Sequence, residues 1–382
     1  MSTELSTSGW IDHLGRFFAS HRRLMVSLGD LETRFLSDTL EDISIRSPIY
    51  VAGVARSGST LLLEILNRVP QVATHQYQDY PFIYTPFWWH SYLRMVPGKA
   101  DETPQERAHK DRIFITPQSP EAMEEILWMS FFAHIHDDRS DQVLDGSTRC
   151  PAFEDFYRAH IKKLLAVRQG RRYASKGNYN LTRLAYLRRT FPDARFVVPI
   201  REPRAHVASL VKQHRLFVKG ERDNPKALAH MQRLGHYEFG LDRRVINVGD
   251  PELARQIRSA WDEGRDVEGY ARLWSSVYGF VHRQLAEDPA LREQTLILRY
   301  EDLCQDPARA LTALLGHTGL REAAPEIVAH YRDKISPPTY YDPGFGPQEL
   351  ETLDTITRET ATLFGYGADP QAAVSGATEG EA

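Results

Sequence analysis

The chain has 382 residues, 42% of them hydrophobic and 26% charged, the make-up of an ordinary soluble globular protein long enough for one large α/β domain or two small ones. Its formal net charge of −4 excludes a broadly basic footprint, so no nucleic-acid partner is expected. Cys150 and Cys304 stand far apart and outside any metal spacing, which points to no disulfide framework, no metal, and a reducing, cytoplasmic setting. No apolar run approaches the ~20 residues that cross a bilayer, and the opening "MSTELSTSGWIDHLGRFF" lacks the basic start and apolar core of a signal peptide.

Residues 1–47 read as an N-terminal helical extension. Leu14, Phe17, Phe18, Leu24, Val26, Leu28, Leu31, Phe35 and Leu36 recur at helical spacing from Ile11 to about Leu40, and Gly29-Asp30 is expected to break or cap the run. His21-Arg22-Arg23 beside Phe17 and Phe18 offers weak contact with an anionic membrane surface, although a solvated helix face is the plainer reading. Ile49 to Ala52 is a short apolar strand ending in glycine, and a helix follows over Leu61–Leu66.

The aromatic stretch "YQDYPFIYTPFWW" from Tyr77 to Trp89 carries two prolines and is predicted to be a loop lining something. A polar, mobile insertion is expected over about 97–120, then helices at 121–135 and 153–169. "RRYASK", "ARFVVPI" and "QTLILRY" read as strands; Pro199 puts its position near a strand end or bulge. "NLTRLAYLRRTF", "RAHVASLVKQH", 251–287, 307–316 and 347–364 read as helices, and 367–382 as a disordered tail. Strands alternating with helices imply an α/β, P-loop-like three-layer fold, a mainly parallel sheet with helices on both faces, over residues 48–366.

Gly53 to Thr60 reproduces the P-loop pattern G-x-x-x-x-G-K-[ST] except that Ser59 replaces the lysine, while Arg56 has entered the loop. Backbone N–H groups around Ser57, Gly58, Ser59 and Thr60, with the positive helix end, form an anion nest. Without the lysine a magnesium–triphosphate loses its main counter-charge, whereas the Arg56 guanidinium offers a planar fork to a phosphate or sulfonyl group. Downstream, in "VVPIREPRAHVAS", Arg201 ends a strand and Pro203 suits a first helical turn. Ser209 lies ~9 Å further along that helix axis, so Arg201 and Ser209 are able to address one anion at the sheet's carboxyl edge.

With these residues the chain resembles the sulfotransferases that use 3′-phosphoadenosine 5′-phosphosulfate (PAPS), in their arginine-loop, bacterial-like branch. "GVARSGSTLL" is similar to that branch's phosphosulfate loop, and Arg201 with Ser209 is similar to its 3′-phosphate pair. "LRYEDLCQDP" resembles a Tyr-Glu-Asp-Leu stretch of the family. The resemblance runs from about Pro48 to Tyr366 and implies PAPS as co-substrate, no metal, and a small-molecule, lipid or carbohydrate acceptor bearing a hydroxyl or amine. It also implies an electrostatic role for Arg56 on the sulfonyl and bridging oxygens.

Lys176, in "YASKGNYN", matches a lysine that one branch places at this spacing before the second-motif arginine, but the proline that follows it there is missing. Tyr77 stands where related branches carry a glutamate base. Asp79 is the nearest carboxylate, and an aspartate in a partly dry aromatic loop with a raised pKa suits base work; bonding a backbone N–H in the turn before Pro81 is the structural alternative. His75 is the reserve candidate, and His134 and His136 resemble a metal pair only superficially. Two other readings compete with the enzyme: a catalytically lapsed adenosine-bisphosphate-binding module, and a degenerate P-loop kinase.

Overall fold

Strand β1 (Ile49–Ala52) runs through the middle of a five-stranded parallel sheet. Its companions are β2 (Val72–Ala73), β3 (Arg172–Gly177), β4 (Arg195–Ile200) and β5 (Thr295–Arg299), in the order β2-β3-β1-β4-β5. The computed structural model describes residues 9–96, 104–106, 114–336 and 344–367. Both faces of the sheet are covered, which is why β1 is apolar throughout. Tyr50 and Ala52 enter one core with Phe196, Val198 and Ile200, while Ile49 and Val51 enter the other with Val197, Leu62 and Leu66.

The helices that matter here are α1 (Gly9–Ser20), α2 (Arg22–Phe35), α3 (Ser59–Asn67), α4 (Pro151–Arg168), α5 (Pro203–Asp223), α6 (Pro225–Leu234) and α7 (Asp266–Glu287). β3 lies on one side of β1 and β4 on the other, so the chain changes direction across the carboxyl end of β1. Open α/β sheets bind ligands in the crevice such a switch creates.

The N-terminal helices pack into this domain. Glu32 and Lys163 of α4 form an ion pair at 3.0 Å, both side chains fully buried, and Glu32 also accepts from the Trp88 N–H at 2.6 Å. Gly29 does not break the helix as expected. It sits inside α2, where a Cβ would stand 2.6 Å from a Phe156 ring carbon, so glycine serves close helix packing there. The interruptions fall at His21 and Leu36. The basic-aromatic cluster is divided: Phe18 packs on Phe82 and Arg22 donates to the Met129 carbonyl, leaving Phe17 stacked on His21 at the surface.

Other differences have local causes. The aromatic stretch is half helical, because Pro86 occupies the first turn of a helix over Pro86–Met95. The long helix expected over 251–287 is two, Pro251–Asp262 and α7, parted at Gly264 with φ 76°. The insertion expected over 97–120 falls largely outside the described residues, within which Gln105–Glu106 and Phe114–Ile115 pair antiparallel. The tail beyond 367 lies outside them as well.

Candidate active site

After β1 the chain turns through a short nest before α3. The Ser57 N–H donates to the Val54 carbonyl at 3.2 Å, and both Arg56 (φ 72°) and Gly58 (φ 98°) are left-handed. A non-glycine residue in that region is uncommon and costs on the order of 1 kcal/mol, so Arg56 is held there by its surroundings. Gly53 is required by crowding: a Cβ there would stand 2.6 Å from Ser57 Oγ and 2.8 Å from Pro199 Cγ. Pro199 is the penultimate residue of β4, near the strand end as the sequence indicates.

Donor groups from three strands meet above this loop. Arg56 Nε donates to Ser209 Oγ at 3.2 Å. Lys176, opposite Val51 in the β1–β3 register, donates from Nζ to Thr60 Oγ1 at 3.3 Å. Arg201, 6% exposed, lies with its guanidinium carbon 5.1 Å from the centre of the Tyr300 ring. Tyr300 also walls the loop, since a Cβ on Gly58 would be 2.8 Å from its Cδ2. Glu301, next in the chain, accepts from the Glu202 N–H at 3.0 Å, at the start of α5. Tyr300 and Glu301, within the stretch that resembles the family's Tyr-Glu-Asp-Leu, therefore brace the loop and the second arginine together. Three cations, two hydroxyls and the N-terminus of α3 gather at the carboxyl edge of the sheet, a donor set suited to a multiply charged anion.

The expected bases occupy a different environment. Asp79 is 5% exposed and is bound by Arg168 Nη2 at 2.5 Å, by the Gln76 N–H at 2.8 Å, and by His75 Nδ1 at 3.5 Å. Burial by itself would raise its pKa; the His75 hydrogen bond and the Arg168 charge outweigh burial and hold it below the usual carboxylate range. The raised pKa expected of Asp79 is thus reversed, and the structural alternative, a backbone-bonded turn, is what the carboxylate forms. His75 is equally enclosed, 2% exposed, with its Nε2 3.1 Å from His160 Nε2. His136 is bound to Glu125 at 2.7 Å, and Glu125 to Arg183, in a buried ion cluster.

The sulfotransferase family model matches residues 48–244, a span that takes in the Gly53–Thr60 loop, Lys176, Arg201 and Ser209. The chain belongs to the sulfotransferase family. Among solved structures this sulfotransferase is similar to sulfotransferase STF9 from Mycobacterium avium, at 16% identity, with 95% of this chain and 88% of that one covered and a TM-score of 0.52. It is similar also to sulfotransferase STF1 from Mycobacterium tuberculosis, at 15% identity over 94% of this chain and 88% of that one, with a TM-score of 0.45. No curated protein matches its sequence. At these identities the first likeness concerns the fold, which agrees with the parallel sheet described above.

Sequence reasoning passed over several residues that the structure places around this candidate site. His206 lies three residues before Ser209 on one face of α5, and its Nε2 stands 2.8 Å from the Ala55 carbonyl, tying helix to loop. Burial and the nearby arginines Arg201 and Arg56 push its pKa down to about 3, the Ala55 bond opposing them, so the ring stays neutral. The i, i+3 spacing to Ser209 was the available signal. Two residues beyond Lys176, Asn178 Nδ2 donates to Glu238 Oε1 at 2.6 Å, and Glu238 Oε2 lies 3.6 Å from His236 Nδ1. Glu124, behind β3, accepts from Ser175 Oγ at 2.6 Å and from the hydroxyls of Tyr157 and Tyr173, which stiffens the strand just before Lys176. Among the described residues no helix is long and apolar enough to cross a membrane.

Proposed function

We propose that the protein takes its sulfuryl group from PAPS and transfers it in line to a hydroxyl or amine of a small-molecule, lipid or carbohydrate acceptor. The supporting observation is the 3.2 Å hydrogen bond from Arg56 to Ser209, which joins the two phosphate-binding stretches in one donor-lined crevice. Bound there, PAPS supplies an activated sulfuryl group on a phosphate leaving group. Arg56 and the N–H groups of Ser57 to Thr60 would hold the 5′-phosphosulfate, and Arg201 and Ser209 the 3′-phosphate. Lys176, beside Thr60, would neutralise charge on the departing oxygen; one such preorganised donor contributes ~10²–10³ in rate. In a magnesium-dependent P-loop the threonine hydroxyl binds the ion. Here a lysine ammonium stands 3.3 Å from that hydroxyl, which favours a reaction that uses no metal. Asp79 is assigned a structural role instead of the base.

We assign residues 48–366 to the catalytic domain and regard 1–47 as an N-terminal extension, whose described part, 9–47, packs on it. Two free thiols suit a cytoplasmic setting.

Transfer of radiolabelled sulfate from PAPS into an acceptor, screened in cell extracts, tests the reading. Adenosine 3′,5′-bisphosphate should raise the melting temperature. Stabilisation without any transfer would favour the lapsed binding module, and stabilisation by ATP with magnesium alone would favour the kinase.

A further inference from the structure

With Asp79 and His75 locked in internal bonds, the proton of the acceptor needs another destination. His236 is the first residue after the left-handed Gly235 that ends α6, and its N–H returns to the Met231 carbonyl at 3.0 Å. The segment is fixed on both sides: the Tyr237 N–H donates to the Tyr179 hydroxyl at 3.1 Å, and the Tyr270 hydroxyl donates to the Glu238 carbonyl at 3.1 Å. Glu238 is itself pinned by Asn178, two residues beyond Lys176. The His236 side chain keeps 26% of its exposure, while that of Glu238 keeps 9%. A carboxylate at Nδ1 sets the imidazole tautomer and leaves Nε2 as the nitrogen able to accept a proton.

We propose that His236, oriented by Glu238, is the general base that takes the proton from an un-ionised acceptor hydroxyl beside Lys176. This rests on the PAPS reading above. In the step the hydroxyl proton passes to His236 Nε2, and the acceptor oxygen's electron pair forms the new O–S bond. The bond from sulfur to the bridging oxygen breaks, its electrons leaving with the 5′-phosphate of adenosine 3′,5′-bisphosphate. The imidazolium then returns its proton to solvent.

The charged and titratable groups that act on His236 are Glu238 and Glu121, which favour its proton, and Lys176, which opposes it; His230 of α6 is a further neighbour. Burial lowers the His236 pKa, but the Glu238 carboxylate 3.6 Å away outweighs it and sets the ring above its ordinary value. A base must be neutral to act, so turnover should rise with pH through that raised pKa. Glu238→Gln removes the main raising influence and should move the acid limb of the profile to lower pH while lowering the plateau. Simple loss of folded protein would lower the plateau without that displacement.

The test uses the full-length protein with two phenols as acceptor probes, 4-methylphenol, which is un-ionised at pH 8, and 4-nitrophenol, which is largely ionised there. His236→Gln should lower transfer to 4-methylphenol by ~10²–10⁴ while transfer to 4-nitrophenol changes little, since a phenolate needs no base. Calorimetry with adenosine 3′,5′-bisphosphate should give the same affinity in variant and wild type. Equal losses on both phenols, or none on either, overturn the proposal, whereas absence of nucleotide binding in the wild type overturns the PAPS reading first. An NMR titration of the His236 ring serves if neither phenol is accepted. A pKa that does not fall in Glu238→Gln overturns the pairing, and one that falls supports it.

Discussion

Tyr300 fills the space in which a side chain on Gly58 would lie: a Cβ there would be 2.8 Å from the Tyr300 ring, at a backbone φ of 98° that disfavours any other residue. The same ring carries Arg201 above it at 5.1 Å. Gly58→Ala should therefore disturb the loop and Arg201 at once, the two groups proposed to hold phosphate. The left-handed backbone alone costs ~1–2 kcal/mol for alanine. Affinity for adenosine 3′,5′-bisphosphate should fall at least about tenfold, read by calorimetry. Tyr300→Ala in the same chain relieves the clash but not the backbone, so recovery should be partial.

Arg201 should discriminate the 3′-phosphate. Arg201→Ala is expected to weaken adenosine 3′,5′-bisphosphate by ~1.5–3 kcal/mol and adenosine 5′-phosphate far less. Equal losses for the two nucleotides would show that this arginine grips something other than the 3′-phosphate.

Asp79→Asn should cost stability and spare chemistry. Removing one partner of a buried ion pair typically destabilises by ~3–5 kcal/mol. Because the folded-state pKa is lowered, the carboxylate's contribution is complete above its unfolded value, ~3.9, and fades as pH falls through the lowered one. Denaturation curves of wild type and variant should thus stay apart above about pH 4 and draw together only as pH falls below it. A loss of turnover with stability unchanged would restore Asp79 as a candidate base.

Turnover should survive excess EDTA, given that Lys176 lies beside the hydroxyl a magnesium ion would need. Abolition of activity by the chelator, with rescue by magnesium, would point to the kinase.

The buried pair of Glu32 and Lys163 makes a further stability prediction. Burial raises the Glu32 pKa and lowers that of Lys163, the partner opposing each, so both groups are displaced toward their neutral forms. Glu32→Leu or Lys163→Met alone should destabilise by ~3–5 kcal/mol, and the double variant by less than either. A double-mutant cycle in urea reads the difference.

The cluster around Arg56 was legible as a cluster because its residues lie in short spans: a glycine loop after an apolar strand, and an arginine eight residues before a serine. Parallel strands place their carboxyl ends together, so locating Arg56, Lys176 and Arg201 on three strand ends sufficed to bring them to one edge. The proposed acceptor side was not legible for the opposite reason. Asp79 looked free in the sequence because its partner Arg168 lies 89 residues away, and no local pattern announces a long-range ion pair. His236 and Glu238 follow a helix over Pro225–Leu234 that sequence periodicity left unread, and the bond from Asn178 to Glu238 arises only from tertiary packing. Gly29 misled in a similar way, since a helix-breaking residue and a helix-contact residue are the same letter until the neighbour is known.

The buried lysine on α4 has a consequence for the order of events at the ribosome. Lys163 also donates to the Gly29 carbonyl at 3.0 Å, across 134 residues of sequence. At ~5–20 residues per second that interval takes roughly 7 to 27 s to translate. Through those seconds the emerging amino-terminal helices have neither their counter-ion nor the Phe156 ring that seats Gly29, and they present an unsheltered apolar seam to whatever holds nascent chains.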